Sequence, residues 1–193
     1  MSRRAPLLLV ALLALAAGPA AADEPAAKLV AVIGQVQAKP PGAGWGAARQ
    51  NSDLAAGTVV KTGARGMARL RYRNGGEFRL NAMTELTVTD PDGLEVSVGQ
   101  VWARFKEKLL TPFRFRSPSA TAVVRGTTLT FAVYPKGGTR VDVEEGHVEV
   151  AGKDGGKVMV GPGQTAKVTP GGALGKPMPT GQAGDLDDPA CIP

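Results

Sequence analysis

Val123-Val124-Arg125-Gly126-Thr127 opens the stretch that decides the fold class of this chain. It runs on as Thr-Leu-Thr-Phe-Ala-Val to Val133, and is followed by Val-Asp-Val-Glu-Glu-Gly-His-Val-Glu-Val from Val141 to Val150. Apolar side chains alternate along both runs, with Leu129, Phe131 and Val133 on one face and Thr128, Thr130 and Ala132 on the other. A period of two marks strands with one buried face, because successive side chains of an extended backbone point to opposite sides. Gly146 interrupts the second run, where a bulge or tight turn calls for a residue without a Cβ.

The same grammar extends outward. Lys28 to Gln37 reads as a first strand, with Val30, Val32 and Val36 sharing a face around Gly34. Pro40-Pro41-Gly42-Ala43-Gly44 ends it, since two prolines remove ladder donors. Thr58 to Thr62 is a short strand stopped by Gly63. From Met67 to Arg73, Ala68, Leu70 and Tyr72 face inward while Arg69, Arg71 and Arg73 face outward. Asn74-Gly75 predicts a two-residue hairpin turn, because both residues tolerate positive φ. Asp90-Pro91-Asp92-Gly93 predicts another turn. Ile33-Gly34-Gln35, Val98-Gly99-Gln100 and Pro162-Gly163-Gln164 share a Gly-Gln step in a loose quasi-repeat.

Gly numbers 26, Pro 15 and aromatics only 5% of the 193 residues, which suits short strands joined by glycine turns. A helical period longer than two turns is confined to Val101 to Leu110. The expected fold is all-β, either β-solenoid-like or a coiled two-sheet sandwich of short strands around a narrow Val/Leu core. The segment 170–193, rich in Gly, Pro and Asp, is expected to be a disordered tail.

Residues 1–22 read as a signal peptide. Arg3 and Arg4 precede the apolar run Leu7 to Ala17, and Ala20-Ala21-Ala22 supplies small residues before Asp23. The apolar run is too short to span a bilayer as a helix. No transmembrane span is therefore expected in the mature chain, which would be periplasmic or secreted. The chain carries 23 basic and 17 acidic residues, net +6, and loss of Arg3 and Arg4 lowers this to +4. Cys191 is the sole cysteine, so no intramolecular disulfide can form.

Taken in order, Gly34-Gln35-Val36, Trp45, Leu54-Ala55-Ala56-Gly57, Thr62-Gly63, Asn74-Gly75, Phe78-Arg79-Leu80, Val96 to Trp102 and Val123 to Thr127 resemble the FecR domain family over 28–169. The resemblance implies a non-catalytic extracytoplasmic binding or sensory module. Val124, Arg125, Gly126, Thr127 and Gly146 are then family-motif residues with a structural role. The regulator that names the family has a cytoplasmic arm and a membrane helix before this domain. Here the apolar segment begins at Pro6, so the anti-sigma role is not expected to carry over.

The sequence supplies no catalytic, cofactor or metal site. His147 is the sole histidine, and with Glu145 and Glu149 it would make at most a weak surface metal cluster. Ser117 and Ser119 flank Pro118 outside any nucleophile motif. Arg125 is expected to pair across strands with Asp142 or Glu144. The candidate basic binding face comprises the period-two rows Arg69, Arg71 and Arg73; Arg104, Lys106 and Lys108; and Arg114 and Arg116. If these rows stack, they make one surface for an envelope protein or an anionic polysaccharide. Nucleic acid is excluded by export and by the scarcity of surface aromatics. The rival expectation is a structural protein that self-associates through its sheet edges.

Overall fold

The computed structural model describes residues 24–106 and 109–182. The expected signal peptide, Lys108 and Cys191 lie outside the described residues. In chain order the strands are β1 (Ala27–Ile33), β2 (Val36–Lys39), β3 (Gly46–Ala47), β4 (Asp53–Leu54), β5 (Val59–Thr62), β6 (Met67–Tyr72), β7 (Glu77–Leu80), β8 (Glu85–Asp90) and β9 (Gly93–Arg104). They continue as β10 (Phe113–Arg116), β11 (Ala120–Val124), β12 (Thr128–Val133), β13 (Thr139–Glu145), β14 (Val148–Gly152), β15 (Lys157–Val160), β16 (Gln164–Val168) and β17 (Met178–Pro179). The all-β expectation holds: the only other regular element among the described residues is a 3-10 turn at Thr180–Gln182.

One hydrogen-bonded network folds over into two layers. The first sheet runs β4–β1–β6–β7–β9–β12–β13–β16–β17. The second runs β3–β2–β5–β8–β9–β10–β11–β14–β15. Strand β9 belongs to both, its first half pairing with β8 and its second half with β7 and β12. All pairs are antiparallel except β9 with β10. Of the two architectures the sequence left open, the coiled two-sheet sandwich is the one observed.

The Gly-Gln quasi-repeat marks the fold line. At Gly34, Gly99 and Gly163 a strand bends out of one sheet and into the other, as it also does at Gly126 and Gly146. Gly99 shows why no side chain fits: its φ is +99°, and an added Cβ would lie 2.4 Å from Thr84 Cα and 2.7 Å from Met83 O. Gly146 is similar, with φ +82° and Gly126 O at 2.7 Å. At Gly34, Gly99 and Gly146 backbone thus packs against the backbone of a neighbouring turn, whereas Gly163 faces open space.

All five phenylalanines lie in the core between the layers. Phe113 of the second sheet has its ring centre 4.9 Å from Tyr72 and 5.1 Å from Phe78 of the first, and 5.2 Å from both Phe105 and Phe115. Phe115 continues the stack to Phe131 at 5.4 Å. Aliphatic residues such as Leu29, Leu80, Leu94, Val101 and Val141 fill the rest, and among the described residues every buried apolar side chain lies between Ala26 and Val168. Burial, and secondarily the charge of Asp90, raises the Tyr72 phenol above its ordinary pKa, and its hydroxyl donates to Gly93 O at 3.2 Å. The folded chain thus holds a proton that the unfolded chain releases near pH 10, so this contribution to stability is complete below pH 10 and declines above it. In urea titrations above pH 10, Tyr72→Phe is expected to lower the alkaline loss by up to about 1.4 kcal/mol per pH unit. An unchanged slope would show that other groups set it.

Four expectations are corrected. Leu29 joins Val32 on the core side of β1 and Val30 does not, because the register against β6 shifts between Leu29 and Ala31. Val101 to Arg104 is strand and not helix: β9 continues to Arg104, its backbone held by two neighbouring strands. At Asn74-Gly75 only Gly75 has positive φ, and Tyr72 N donates to Gly76 O, so the hairpin loop has three residues rather than two. Finally, the segment expected to be disordered from 170 is tied down as far as 182. Leu174 packs on the core, Val168 bridges to Leu174, and β17 pairs with β16.

Candidate functional site

The period-two rows do point outward, but the fold divides them. Arg69 and Arg71 on β6 and Arg104 on β9 share the outer face of the first sheet, with Lys106 just beyond β9. Arg114 and Arg116 sit on β10 in the second sheet. The single basic surface expected from stacked rows is therefore two separate patches. Arg73 lies past the end of β6 and pairs with Glu24, outside both.

The first-sheet patch gains two residues the sequence reading left out. Arg79 on β7 stands directly across from Arg69, and Trp102 on β9 directly across from Arg79. The alternation Phe78-Arg79-Leu80 already placed Arg79 outward; its neighbours depended on register. Its guanidinium lies 5.2 Å from the centre of the Trp102 ring, and Trp102 Nε1 donates to Glu144 at 3.1 Å. Glu77 faces Arg71 at 3.5 Å and Lys106 at 3.8 Å. Exposed pairs of this length add about 0–1 kcal/mol each. Arg69 and Arg79 have no such partner among the described residues, so two like charges oppose one another across strands, an arrangement that costs stability. A groove of about 360 Å³ runs among Arg69, Arg71, Glu77, Arg79, Trp102 and Arg104. Toward β13 the same face turns acidic, at Asp142, Glu144 and Glu145.

The remaining candidates have structural explanations. Arg125 is exposed and meets neither Asp142 nor Glu144, which is a correction. Asp142 is taken by Arg140 at 2.8 Å and by Thr165 Oγ1 at 2.5 Å, while Glu144 is taken by Trp102. Arg125 sits at the corner before Gly126, which turns it away from the first sheet. Arg125→Ala is accordingly expected to change stability by less than about 0.5 kcal/mol, and a larger drop in the urea midpoint would show that the corner needs the guanidinium. Val124 is core, Gly126 is a corner with φ +101°, and Thr127 Oγ1 donates to His147 O at 3.2 Å.

His147 is exposed, Glu145 accepts from Thr128 and Glu149 from Lys157, so the bend at Gly146 disperses the three. No group of three metal-ligating side chains occurs among the described residues. Ser117 and Ser119 both share hydrogen bonds of 2.7 Å with buried Thr139, a hydroxyl cluster that shapes the β10–β11 turn. A cleft of about 640 Å³ lies outside the β9 corner beside Met83, Gly99, Tyr134 and Pro135, with the Lys61–Glu85 and Arg140–Asp142 ion pairs on its walls.

Fold and face together define a two-layer β module whose chemistry is that of a charged sheet surface. Residues 58–149, β5 to β14, match the family model described as FecR protein. Over those residues the chain is similar to the FecR domain. Two crystal structures of a proposed anti-sigma factor from Parabacteroides distasonis ATCC 8503 are similar to it. One is 18% identical with a TM-score of 0.55, the other 19% identical with a TM-score of 0.54. Each covers 63% of this chain and 59% of that protein, so this chain spans less than two thirds of its relative's length. At that identity the likeness is one of fold. No curated protein matches. Among the described residues no helix is long and apolar enough to cross a membrane.

Proposed function

We propose that this chain is a non-catalytic extracytoplasmic binding or sensory module of the FecR type, which engages an envelope protein or an anionic cell-surface polymer. The observation that carries the reading is the outer face of the first sheet, where Arg69, Arg71, Arg79 and Arg104 surround one groove and only Glu77 offsets them. Guanidinium groups fixed on strands present paired donors to carboxylate or phosphate without further ordering. Regulatory rather than catalytic relatives within the family support the same reading.

The test is retention of separated envelope protein and polysaccharide fractions by the immobilised chain, compared with Arg71→Glu/Arg104→Glu. Retention of a defined component, reduced at least tenfold by the double reversal, is the expected result. Equal retention by an Arg114→Glu/Arg116→Glu variant would be consistent, since those residues lie on the other sheet. If only that second variant loses binding, the face has been assigned wrongly.

A second reading, assembly through sheet edges, draws on β15. This four-residue strand pairs only with β14 and exposes Met159, whereas β3, β4 and β17 guard the other edges with two residues each. Sedimentation that stays monomeric with rising concentration would dismiss it.

A further inference from the structure

At the corner where β1 leaves the first sheet, Ile33 and Met67 are direct cross-strand partners, 54% and 41% exposed. They project from the same outer face as Arg69, because Met67 and Arg69 are two residues apart on β6. A second, smaller groove of about 180 Å³ joins them, lined by Ala31, Ile33, Met67, Ala68, Arg69 and Arg79. It meets the larger groove at Arg69 and Arg79, which line both. Arg65, also exposed, lies in the turn that packs on this corner, its carbonyl against Gly34. One corner further along the fold line, Met83 N donates to Gly63 O, and its side chain is 64% exposed on a left-handed backbone of φ +55°. A non-glycine residue held there is a strained choice.

We propose that this corner is a docking surface for an anionic lipid bilayer, with Ile33 and Met67 entering the interface and Arg65, Arg69 and Arg79 meeting the headgroup phosphates. Three observations select this partner. None of the three arginines has a carboxylate within ion-pair distance among the described residues, so their charge is available to an outside anion. The apolar pair shares a groove with two of them, and apolar side chains ringed by cations match the layered chemistry of a membrane interface. A hydrated polysaccharide would gain from the arginines but nothing from Ile33 and Met67. Arg69 and Arg79 line both grooves, but Ile33 and Met67 lie outside the one around Arg71 and Arg104, so loss confined to the apolar pair separates this inference from the proposed function.

The test is co-sedimentation of residues 24–193, which retain every core residue, with vesicles of phosphatidylcholine alone or with about one third phosphatidylglycerol. Binding is expected to the anionic vesicles, to weaken with added salt, and to be absent from the neutral ones. Arg69→Glu/Arg79→Glu should weaken it by roughly tenfold or more, near fivefold for each arginine. Ile33→Ser/Met67→Ser should also weaken it about tenfold, while retention on the envelope fractions described above is unchanged. Both pairs are exposed, and thermal melts of each variant will confirm folding. Failure to bind anionic vesicles would overturn the proposal. So would vesicle binding indifferent to the serine pair, or binding to polygalacturonate that rivals the vesicles and ignores Ile33 and Met67.

Discussion

Gly99→Ala is expected to lose about 2–6 kcal/mol of stability, which combines about 1–3 for an L residue at positive φ with a comparable amount for the steric clash. The reason is positional. The new methyl group would sit 2.4 Å from Thr84 Cα and 2.5 Å from Thr84 Oγ1. Backbone cannot swing aside as the end of a flexible side chain can. Thr84 is also fixed on its own account: its hydroxyl donates to Gln100 O at 3.2 Å, and its N–H donates to Thr62 Oγ1 at 2.9 Å. Relieving the clash would therefore pull apart the corner of β9, the one strand common to both sheets. Gly155→Ala is the internal comparison, since φ there is +86° but an added Cβ meets nothing within 4 Å. It should cost only the strain, about 1 kcal/mol. Urea midpoints for the two variants decide the matter, and equal losses would mean that corner packing contributes nothing.

Phe113→Ala is expected to cost about 3–5 kcal/mol, the range for deleting a fully buried aromatic ring. Phe113 is the ring on which the layers meet, touching Tyr72, Phe78, Phe105 and Phe115. Removing it leaves a void flanked by stiff rings that cannot collapse into it, which places the cost toward the upper end. For a domain of this length the melting temperature should fall by roughly 10 °C or more. Phe113→Leu keeps most of the volume and should lose about half as much. A small loss for Phe113→Ala would indicate that the two sheets hold together chiefly through aliphatic contacts elsewhere.

The two largest effects thus fall on the fold line and on the interlayer stack, and neither touches the arginine face. The core and the proposed binding face lie on opposite sides of the same strands. On β6, Ala68, Leu70 and Tyr72 are core while Arg69 and Arg71 are surface. Charge reversals on the face should accordingly leave the melting temperature nearly unchanged, which lets binding experiments be read without a folding correction.

The sequence by itself determined the strands and which way their side chains alternate. Period-two patterning is local, so Met67 to Tyr72, Phe113 to Arg116 and Thr128 to Val133 could be read without knowing their neighbours. The chemistry of the fold line was also legible, because a backbone position with φ above zero and no room for a Cβ admits little but glycine. The family pattern gave their order. What only the tertiary structure decided is which strands lie side by side and on which layer. Alternation says that Arg69 and Arg114 each point away from a core, but both sheets have an outer face. Long-range pairing sends β6 to one sheet and β10 to the other. It also sets Arg79 across from Arg69 and brings Ile33 against Met67. It withdraws Arg125 from Asp142, because the corner at Gly126 re-aims the chain between them. A one-residue shift in β1 put Leu29 rather than Val30 on the core side with Val32, and nothing within that strand's own sequence marks the bulge. Local patterning fixes a side chain's direction relative to its own strand; corners and register, which depend on residues distant in the chain, fix what it faces.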